Sequence, residues 1–358
     1  MRVLTGVDLP VGSPGGSVEL LRDLYLAPDA PIAAEVFMLG GDGAARSPVE
    51  LDVPGKQLDG SGFWAYTRAL AAAIRARFPE DGHDLVHLQH LAFGATPALL
   101  RAFPASPTLA FVHGTDLLFA ADHPTQQEVL GQAVAEAGAV SVPTAAMADL
   151  LPVRPRRLEH IPWGVPDRLL ADPPPRAEET DDKGGLRLLY AGRLTPEKGV
   201  DNLLEAVARM DGVGLAVAAP TAEYAALAAR ADVSRVHYLG WLSRPALWRA
   251  FAAHDLLVVP SVRLEAFGLV AVEAQACGLP VLHQRVPGLA EVLADSSLAV
   301  DLASGPQALL DAVAWLAKDH AALADLRAAG RRNAARFPLS RTAREILRLS
   351  AELVERGP

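Results

Sequence analysis

The sequence predicts an α/β protein with two domains, each built on a parallel β-sheet. Short apolar runs alternate with stretches of helical period, which is typical of repeated β-α units. The alternation breaks off at a segment rich in proline and acidic residues and then begins afresh. The length of 358 residues also fits about two domains of ordinary size.

The first half of the chain contains a series of candidate strands, each a short apolar run of the kind that fills a buried parallel sheet. They cover Val3–Val7, Glu35–Leu39, Leu85–Leu88, Leu109–Val112, Val140–Val142 and Leu158–Ile161. Helical periodicity lies between them, at Ser17–Leu26, Gly62–Phe78 and Thr125–Ala137.

The second half begins a new series of the same kind. Its candidate strands cover Leu186–Tyr190, Leu215–Ala218, Val236–Tyr238, Leu256–Val259, Val281–His283 and Leu298–Val300. Helical stretches close the chain at Gln307–Lys318, Ala321–Arg336 and Ser340–Glu355. Pro338 separates the last two, because proline cannot continue a helix.

The segment between the two series cannot form a packed element. Ala171–Arg176 contains three consecutive prolines, and Glu178–Gly185 contains four acidic residues and a pair of glycines. Such a composition predicts a linker or surface loop, so we expect the domain boundary near it.

The charge of the chain is unevenly distributed. The formal net charge is −9, and residues 1–160 carry 11 Lys and Arg against 18 Asp and Glu. A surface for nucleic acid or for an anionic membrane needs a basic patch, so neither partner is expected for the first half. Simple solubility is the other explanation of the acidic excess.

The apolar and cysteine content of the chain points to a cytoplasmic enzyme. No apolar stretch reaches the 18 or more residues that a transmembrane helix needs, and the first residues resemble a strand rather than a signal peptide. The single cysteine, Cys277, excludes an internal disulfide framework and a multi-cysteine metal site.

The most informative stretch is Pro260–Val281. The buried strand before it leads into a loop that contains Glu265, and a helix begins near Phe267. A helix N-terminus at the carboxyl end of a parallel strand presents free backbone N–H groups that suit a diphosphate. Glu265 and Glu273 are eight residues apart, which is about 12 Å along a helix and comparable to the hexose-to-ribose span of a nucleotide sugar. Glutamates at this spacing are also common on exposed helices.

Two segments together resemble one enzyme family, the retaining glycosyltransferase family 4 or glycogen-synthase-like group. Its donor-site signature places Phe-Gly-Leu between two glutamates, as in Glu265–Glu273 here, and its Gly-Arg…Lys-Gly loop is similar to Gly192–Gly199. The resemblance implies the GT-B fold, in which two Rossmann-like domains face each other across a cleft. We therefore expect an acceptor-binding domain at 1–166, a nucleotide-sugar-binding domain at 167–339, and a C-terminal helix at 340–358 that packs on the first domain.

The resemblance assigns donor-site roles in the second half. Arg193 and Lys198 would hold the diphosphate as negative charge develops on it, and Glu265 would accept hydrogen bonds from the sugar hydroxyls. Glu273 would hold the ribose diol. The other donor contacts are expected at Gly15, Gly16, Trp241, Phe267, Gly268 and Leu269. A turn is the alternative for the two glycines, and plain packing is the alternative for the tryptophan.

In the first half, His113 follows the strand that ends at Phe111–Val112. By resemblance it contacts the donor sugar near the reacting carbon, and a structural histidine is the alternative. Asp8, His90 and Asp116 are weaker candidates for acceptor binding. The predicted catalytic set is then His113 with the three donor-site residues Arg193, Lys198 and Glu265.

The sequence contains no Asp-x-Asp triplet, the usual metal clamp of the other major glycosyltransferase fold. We therefore expect no metal and no cofactor, with the nucleotide-diphosphate sugar as cosubstrate. The acidic first half favours a small, polar, soluble acceptor, neutral or cationic, over a lipid phosphate. The chain also resembles glycosyltransferases that act on 2-deoxystreptamine in aminoglycoside antibiotic pathways, which implies an aminocyclitol acceptor and UDP-N-acetylglucosamine or UDP-glucose as donor.

Several alternatives remain open at this point. The acceptor can be another small molecule or a polysaccharide. The chain can be a sugar-nucleotide epimerase or hydrolase on the same fold, which would convert the donor without an acceptor. It can also be a non-catalytic sugar-nucleotide-binding protein, although the set of Arg193, Lys198, Glu265 and Glu273 speaks against this.

Overall fold

The computed structural model describes residues 1–40, 48–176, 185–210, 213–302 and 304–357. The chain divides into two compact units. Unit 1 comprises Met1–Ser13, Ser17–Pro162 and Ser340–Pro358, and unit 2 comprises Pro14–Gly16 and Trp163–Leu339. Residues 177–184 of the predicted linker lie outside the described residues. The binding role of each domain remains a prediction.

Within the described ranges the chain forms thirteen strands and fifteen α-helices. The strands are β1 (Val3–Pro10), β2 (Ala34–Leu39), β3 (Val49–Leu51), β4 (Leu85–Leu88), β5 (Thr108–Phe111), β6 (Ala139–Val142), β7 (Leu158–His160), β8 (Arg187–Ala191), β9 (Gly214–Ala218), β10 (Val236–Gly240), β11 (Leu256–Val259), β12 (Val281–Gln284) and β13 (Leu298–Val300). The α-helices are α1 (Gly16–Leu21), α2 (Gly60–Arg77), α3 (Ala95–Ala102), α4 (Gly114–Asp122), α5 (Pro124–Glu136), α6 (Ala145–Ala148), α7 (Asp167–Ala171), α8 (Val200–Ala208), α9 (Thr221–Ala228), α10 (Arg244–Ala253), α11 (Leu269–Ala276), α12 (Leu289–Leu293), α13 (Gln307–Lys318), α14 (His320–Ala334) and α15 (Leu339–Arg356).

Both sheets are parallel, as the sequence predicts. The described strands of unit 1 follow the order β3-β2-β1-β4-β5-β6-β7, and those of unit 2 follow the order β10-β9-β8-β11-β12-β13. In each sheet the first strand lies near the middle. The next strands along the chain extend the sheet on one side of it, and the later strands extend it on the other side. This is the doubly wound arrangement, so the predicted fold class of two Rossmann-like α/β domains is confirmed.

Buried apolar strands hold each sheet between its helices. β4, β5 and β6 are buried along their whole length, as expected for strands covered on both faces. In unit 2 a continuous core joins the strands to α8 and α13, with Leu188, Leu203 and Leu316 nearly inaccessible to solvent.

The structure adds elements that the periodicity did not indicate. β3 pairs in parallel with β2 through Phe37 and Val49. The predicted helix Ser17–Leu26 is an α-helix only to Leu21 and continues as a π-helical turn over Arg22–Leu26.

The C-terminal helix α15 belongs to unit 1 from Ser340 onward. Its buried residues include Ile346, Leu349 and Leu353, whose spacing of three and four places them on one face. On the same side Ser350 Oγ lies 2.9 Å from Nε2 of His87.

Candidate active site

Several of the predicted site residues lie at the two topological switch points. These are the gaps between β1 and β4 in unit 1 and between β8 and β11 in unit 2, where the order of strands reverses. Open α/β sheets bind ligands at the carboxyl ends of the strands in such places. The loops after β8 and β11 carry Lys198 and Glu265, and the ends of β1 and β4 carry Asp8 and His90.

Lys198 and Glu265 meet in unit 2. Lys198 Nζ donates to Oε2 of Glu265 across 2.5 Å, and the hydroxyl of Ser261 donates to the same oxygen across 3.1 Å. The two ionic side chains are 32% and 18% exposed, so a ligand can reach them from solvent. A cation and a hydrogen-bonded carboxylate therefore stand together at the switch point.

Close backbone packing brings the two loops together. Gly199 has a φ of +67°, and a Cβ atom at this position would lie 2.1 Å from the carbonyl oxygen of Pro260. Only glycine fits there, because any side chain would collide with backbone. The backbone N–H of Val262 donates to the carbonyl of Glu197 across 2.9 Å. These contacts fix the position of Lys198 relative to the Glu265 loop.

Gly268 opens α11 beside Glu265. It has a φ of +78°, and a Cβ atom there would lie 2.4 Å from Leu289 Cδ1. The first N–H groups of α11 have no partner within the helix and stand at the carboxyl end of β11. The predicted donor contacts Phe267 and Leu269 are buried, and the Phe267 ring packs against Phe337. Their side chains belong to the core, so their backbone is the part that can approach a donor.

Arg193 is engaged by a residue that the sequence did not indicate. Its Nε donates to Oε1 of Glu223 across 2.9 Å, and the backbone N–H of Leu194 donates to Oε2 of the same carboxylate across 2.6 Å. The Arg193 side chain is 46% exposed. The structure thus pairs Arg193 with α9, and its contact with a diphosphate remains a prediction.

Glu273 is buried between helices. Its Oε2 accepts a hydrogen bond from the indole N–H of Trp248 across 2.9 Å, and its Oε1 accepts from Nε of Arg244 across 3.1 Å. Both carboxylate oxygens are therefore occupied by α10, and the predicted contact with a ribose is untested. Positions 244 and 248 share one helix face, and this spacing was the available signal for the pair.

Trp241, an exposed tryptophan of unit 2, follows the end of β10. Trp241 is 42% exposed. Nearby on β10, the Tyr238 ring stacks on Tyr224 with centroids 3.9 Å apart. Stacking of Trp241 on a nucleobase remains a prediction.

Gly15 and Gly16 lie where the chain enters α1. Gly15 has a φ of +148°, and a Cβ atom there would meet nothing within 4 Å. The backbone conformation therefore requires glycine at this position, and open space lies beside it. This observation fits both a turn and the approach of a ligand.

In unit 1, Asp8 is buried near the end of β1. Its Oδ2 lies 3.3 Å from Lys56 Nζ and accepts the backbone N–H of Gly94 across 3.2 Å. Lys56 also donates to the backbone carbonyl of Asp8. Tyr66 of α2 stands beside the same carboxylate. Burial and, secondly, the charge of Asp8 raise the pKa of the Tyr66 phenol. Lys56, Gly94 and Tyr66 were not found from the sequence.

His90, His113 and Asp116 form a second buried group. The His90 and His113 rings are edge to face with centroids 4.9 Å apart, and His90 Nε2 lies 2.8 Å from Ser17 Oγ. The His113 backbone N–H donates to Oδ2 of Asp116 across 2.9 Å at the start of α4. Burial lowers the pKa of His90 to about 4 and raises that of Asp116 to about 7. Asp116 therefore takes part in capping the start of α4, and its predicted role in acceptor binding is untested.

A chain of hydrogen bonds leads from His113 into unit 1. His113 Nε2 lies 2.9 Å from Oε1 of Gln89, and Gln89 Nε2 donates to the Tyr25 hydroxyl across 3.5 Å. That hydroxyl lies 2.8 Å from Nδ1 of His87. Sequence reasoning did not single out Gln89 or Tyr25, since such contacts depend on tertiary packing.

The described residues contain neither a metal-binding cluster nor a membrane-spanning helix. Among these residues, no group of three or more His, Cys, Asp and Glu side chains is arranged to hold a metal ion. None of the helices in the described ranges combines the length and apolar character that a membrane span needs. Metal independence remains a prediction.

Comparison with known proteins gives a family match. Residues 174–334 match the family model described as "Glycosyl transferases group 1". The D-inositol 3-phosphate glycosyltransferase of Mycobacterium marinum is 35% identical over 253 residues, which cover 63% of this chain and 54% of that protein. D-inositol 3-phosphate glycosyltransferase 1 of Catenulispora acidiphila is 30% identical over 315 residues, which cover 78% of this chain and 75% of that protein.

The chain spans about half the length of the first of these curated relatives. Both relatives are named as inositol phosphate glycosyltransferases. The closer resemblance to aminoglycoside-pathway enzymes is therefore not supported.

Solved structures show the same fold at low identity. Sucrose-phosphate synthase from Thermosynechococcus elongatus superposes with a TM-score of 0.82 at 20% identity, covering 99% of this chain and 100% of that one. Anabaena HepE in complex with UDP and glucose has a TM-score of 0.77 at 19% identity, covering 98% of this chain and 100% of that one. Identity of this order shows the fold alone.

Proposed function

Because the chain belongs to the group 1 glycosyltransferases, we propose that it transfers a sugar from a nucleoside diphosphate sugar to a hydroxyl group of a small soluble cyclitol. In this proposal unit 2 binds the donor and unit 1 binds the acceptor. The anomeric configuration is retained, and no metal ion is needed.

The observation that carries the proposal is the meeting of Lys198 and Glu265 at the switch point of unit 2. Breaking the bond between the sugar and the diphosphate places negative charge on the departing phosphate oxygen. Lys198 and the N-terminal amides of α11 supply fixed positive charge for it, the task that a divalent ion has in other transferases. Glu265 is held ready to accept hydrogen bonds from the sugar hydroxyls.

Retention follows from attack on the face of the sugar that the diphosphate leaves. The acceptor oxygen forms a bond to the anomeric carbon, the bond from that carbon to the phosphate oxygen breaks, and the same phosphate oxygen takes the proton of the acceptor. Glu265 already accepts hydrogen bonds from Lys198 and Ser261, which suits a positioning carboxylate better than a nucleophile. His113 is proposed to contact the sugar near its reacting carbon.

The cyclitol acceptor is supported by the names of the relatives. Those in Mycobacterium marinum and Catenulispora acidiphila are named for inositol 3-phosphate. Inositol is a six-membered carbon ring that carries several hydroxyl groups. UDP-N-acetylglucosamine and UDP-glucose are the donors to try first, and the structural neighbour HepE was solved with UDP and glucose. The cytoplasmic location predicted from the sequence belongs to the same proposal.

A donor and acceptor panel tests the proposal. Each nucleotide sugar is incubated with the protein alone and with myo-inositol, D-inositol 3-phosphate or 2-deoxystreptamine, and the products are identified by mass spectrometry. We expect a glycosylated cyclitol that forms only when both substrates are present. Rapid conversion of the donor without an acceptor would instead identify an epimerase or hydrolase, and tight donor binding without turnover would identify a non-catalytic binder.

A further inference from the structure

Unit 1 contains a polar pair that the proposed chemistry has not yet used. Asp8, near the end of β1, and Tyr66, on α2, converge on Gly94. A Cβ atom on Gly94 would lie 2.7 Å from Tyr66 Cε1 and 3.0 Å from Oδ2 of Asp8. The absence of a side chain at Gly94 is therefore what allows the pair to stand together beside the switch point between β1 and β4.

Part of this pair is unsatisfied. Oδ2 of Asp8 is occupied by Lys56 and by the Gly94 N–H. Among the described residues, neither Oδ1 of Asp8 nor the Tyr66 hydroxyl has a partner in good hydrogen-bond geometry, although both atoms are buried and the hydroxyl is close enough for the Asp8 carboxylate to raise the Tyr66 pKa. Native proteins rarely leave buried polar atoms unpaired, because each such atom has given up its bonds to water. An acceptor and a donor left open side by side mark a place that a ligand completes.

The charge around the pair selects the kind of ligand. The Lys56 ammonium lies 3.3 Å from Asp8 Oδ2 and already balances the carboxylate. His90 also faces Asp8, and its burial lowers its pKa to about 4, so it is neutral near pH 7. An ammonium group at this place would meet Lys56, and a phosphate would meet Asp8. A neutral hydroxyl group is opposed by neither.

We propose that Asp8 and Tyr66 anchor the acceptor through two neighbouring ring hydroxyl groups, so that the enzyme recognises the neutral polyol face of a cyclitol and not its charged substituent. One hydroxyl donates to Oδ1 of Asp8, and the other accepts from the Tyr66 phenol. This inference rests on the proposed function. Lys56, whose side chain is 26% exposed, reaches the carboxylate from the exposed segment before α2 and must make room for the acceptor.

The test measures binding without turnover. The full chain is titrated calorimetrically with myo-inositol (neutral), 2-deoxystreptamine (cationic) and D-inositol 3-phosphate (anionic), with and without UDP. The variants are Asp8→Asn and Tyr66→Phe. Asp84→Asn is the matched control, because Asp84 precedes β4 and lies at the opposite, amino edge of the sheet.

We expect Tyr66→Phe to weaken every cyclitol that binds the wild-type protein by about tenfold, and by the same factor for each, as expected for one lost hydrogen bond. Asp8→Asn should weaken each at least as much, and Asp84→Asn should weaken none. Unchanged binding to Tyr66→Phe would overturn the inference, as would a loss in Asp8→Asn that is confined to 2-deoxystreptamine. The inference also fails if none of the three cyclitols binds the wild-type protein.

A separate measurement keeps the two proposals distinguishable. UDP release from UDP-sugars is followed in the wild type and in Asp84→Asn, with and without each cyclitol. Turnover of the donor reports on the proposed reaction, whereas the calorimetric affinities report on the contacts of Asp8 and Tyr66. If the wild type processes no donor while the cyclitol affinities respond as described, the proposed reaction is wrong. The proposed binding of the acceptor by Asp8 and Tyr66 is then still supported.

Discussion

The ammonium of Lys198 donates to Oε2 of Glu265 across 2.5 Å, although 67 residues separate the two in the chain. The loops after two neighbouring parallel strands, β8 and β11, bring them together. Gly199 permits this approach, because its missing side chain leaves room for the Pro260 carbonyl. The ion pair is therefore a consequence of strand order, and it stands where a doubly wound sheet offers its ligand site.

Removing the cation should affect the reaction far more than the fold. We expect Lys198→Met to lower kcat about 10²-fold or more, because the departing diphosphate loses a fixed charge. The pair is partly exposed, so the free energy of unfolding should change by about 1 kcal/mol or less. Steady-state kinetics and urea denaturation measure the two effects. Lys318→Met, at an exposed lysine of α13, is the control, and equal activity in both variants would refute the role of Lys198.

Weakening the bond between Glu223 and Arg193 should improve donor binding. In the structure Glu223 holds the Arg193 guanidinium at 2.9 Å, so a diphosphate must compete with this carboxylate. Glu223→Gln keeps an acceptor for the Leu194 N–H but loses the charge, and we expect the KM for the donor to fall several-fold. Asp201→Asn is the control, since it breaks the exposed pair with Arg230 instead. A KM that stays constant or rises in Glu223→Gln argues against diphosphate binding by Arg193.

The buried pair of Arg244 and Glu273 should be important for the stability of unit 2. Arg244→Leu leaves the Glu273 carboxylate buried with Trp248 but without this cation, which costs on the order of 3–5 kcal/mol. The double variant Arg244→Leu/Glu273→Leu should lose less than the sum of the two single variants, because no charge is left stranded. Urea denaturation of the four proteins gives the coupling energy. Strict additivity would show that the pair contributes no interaction of its own.

Buried histidines should make unit 1 sensitive to acid. Burial lowers the pKa of His87 to about 3 and of His90 to about 4, and it lowers that of His113 as well. Between about pH 4 and 6.5 these groups take up protons in the unfolded chain and not in the folded one, so the free energy of unfolding falls as the pH falls. Asp116, whose pKa is raised to about 7, has the opposite effect. On its own it makes the free energy of unfolding rise as the pH falls.

Replacement of one histidine isolates this effect. His87→Gln should reduce the slope of unfolding free energy against pH by about 1.4 kcal/mol per pH unit in that window. Asp116→Asn should make the slope steeper by a similar amount. Chemical denaturation at a series of pH values supplies the slopes, and His320→Gln, at an exposed histidine of α14, is the matched control. The interpretation fails if the slope in His87→Gln equals that of the wild type.

The sequence predicted those features that are encoded locally. Leu256–Val259 is an uninterrupted apolar run and Leu85–Leu88 is apolar except for His87, and the structure has strands with these bounds. β3 escaped notice, because Val49–Leu51 has a glutamate in its centre and forms no apolar run. Motif spacing placed Lys198 and Glu265 at one sheet edge, and the structure brings them into contact.

Partners that depend on helix docking could not be predicted in this way. Glu273 was assigned to a ribose, yet in the structure it lies against Arg244, 29 residues away in the chain. Likewise Arg193 meets Glu223, 30 residues away. Both contacts follow from how α9 and α10 dock beside the strands. The spacing of Arg244 and Trp248 shows that they share one helix face, but it does not show which residue that face meets. A motif therefore places residues along the chain, but it does not name the side chains that they contact.

Gln89 should fix the protonation pattern of His113. Because Oε1 of Gln89 lies 2.9 Å from His113 Nε2 and can only accept, that nitrogen must carry the proton when the ring is neutral. The orientation of the Gln89 amide is set in turn by the Tyr25 hydroxyl, to which its nitrogen donates. The ring nitrogen Nδ1 then carries no proton and can act only as an acceptor.

Nitrogen-15 NMR of the histidine rings tests this assignment at neutral pH. We expect the Nε2–H tautomer for His113 in the wild-type protein and a mixture of tautomers in Gln89→Leu, which removes the acceptor. Gln89→Glu keeps an acceptor oxygen and should restore the single tautomer, while its added charge raises the pKa of the His113 ring. Ser350→Ala is the matched control, since it removes the contact with Nε2 of His87 and leaves both Gln89 and Tyr25 in place. A wild-type protein in which the proton of His113 resides on Nδ1 contradicts the assignment, because Gln89 would then have to present its amide nitrogen.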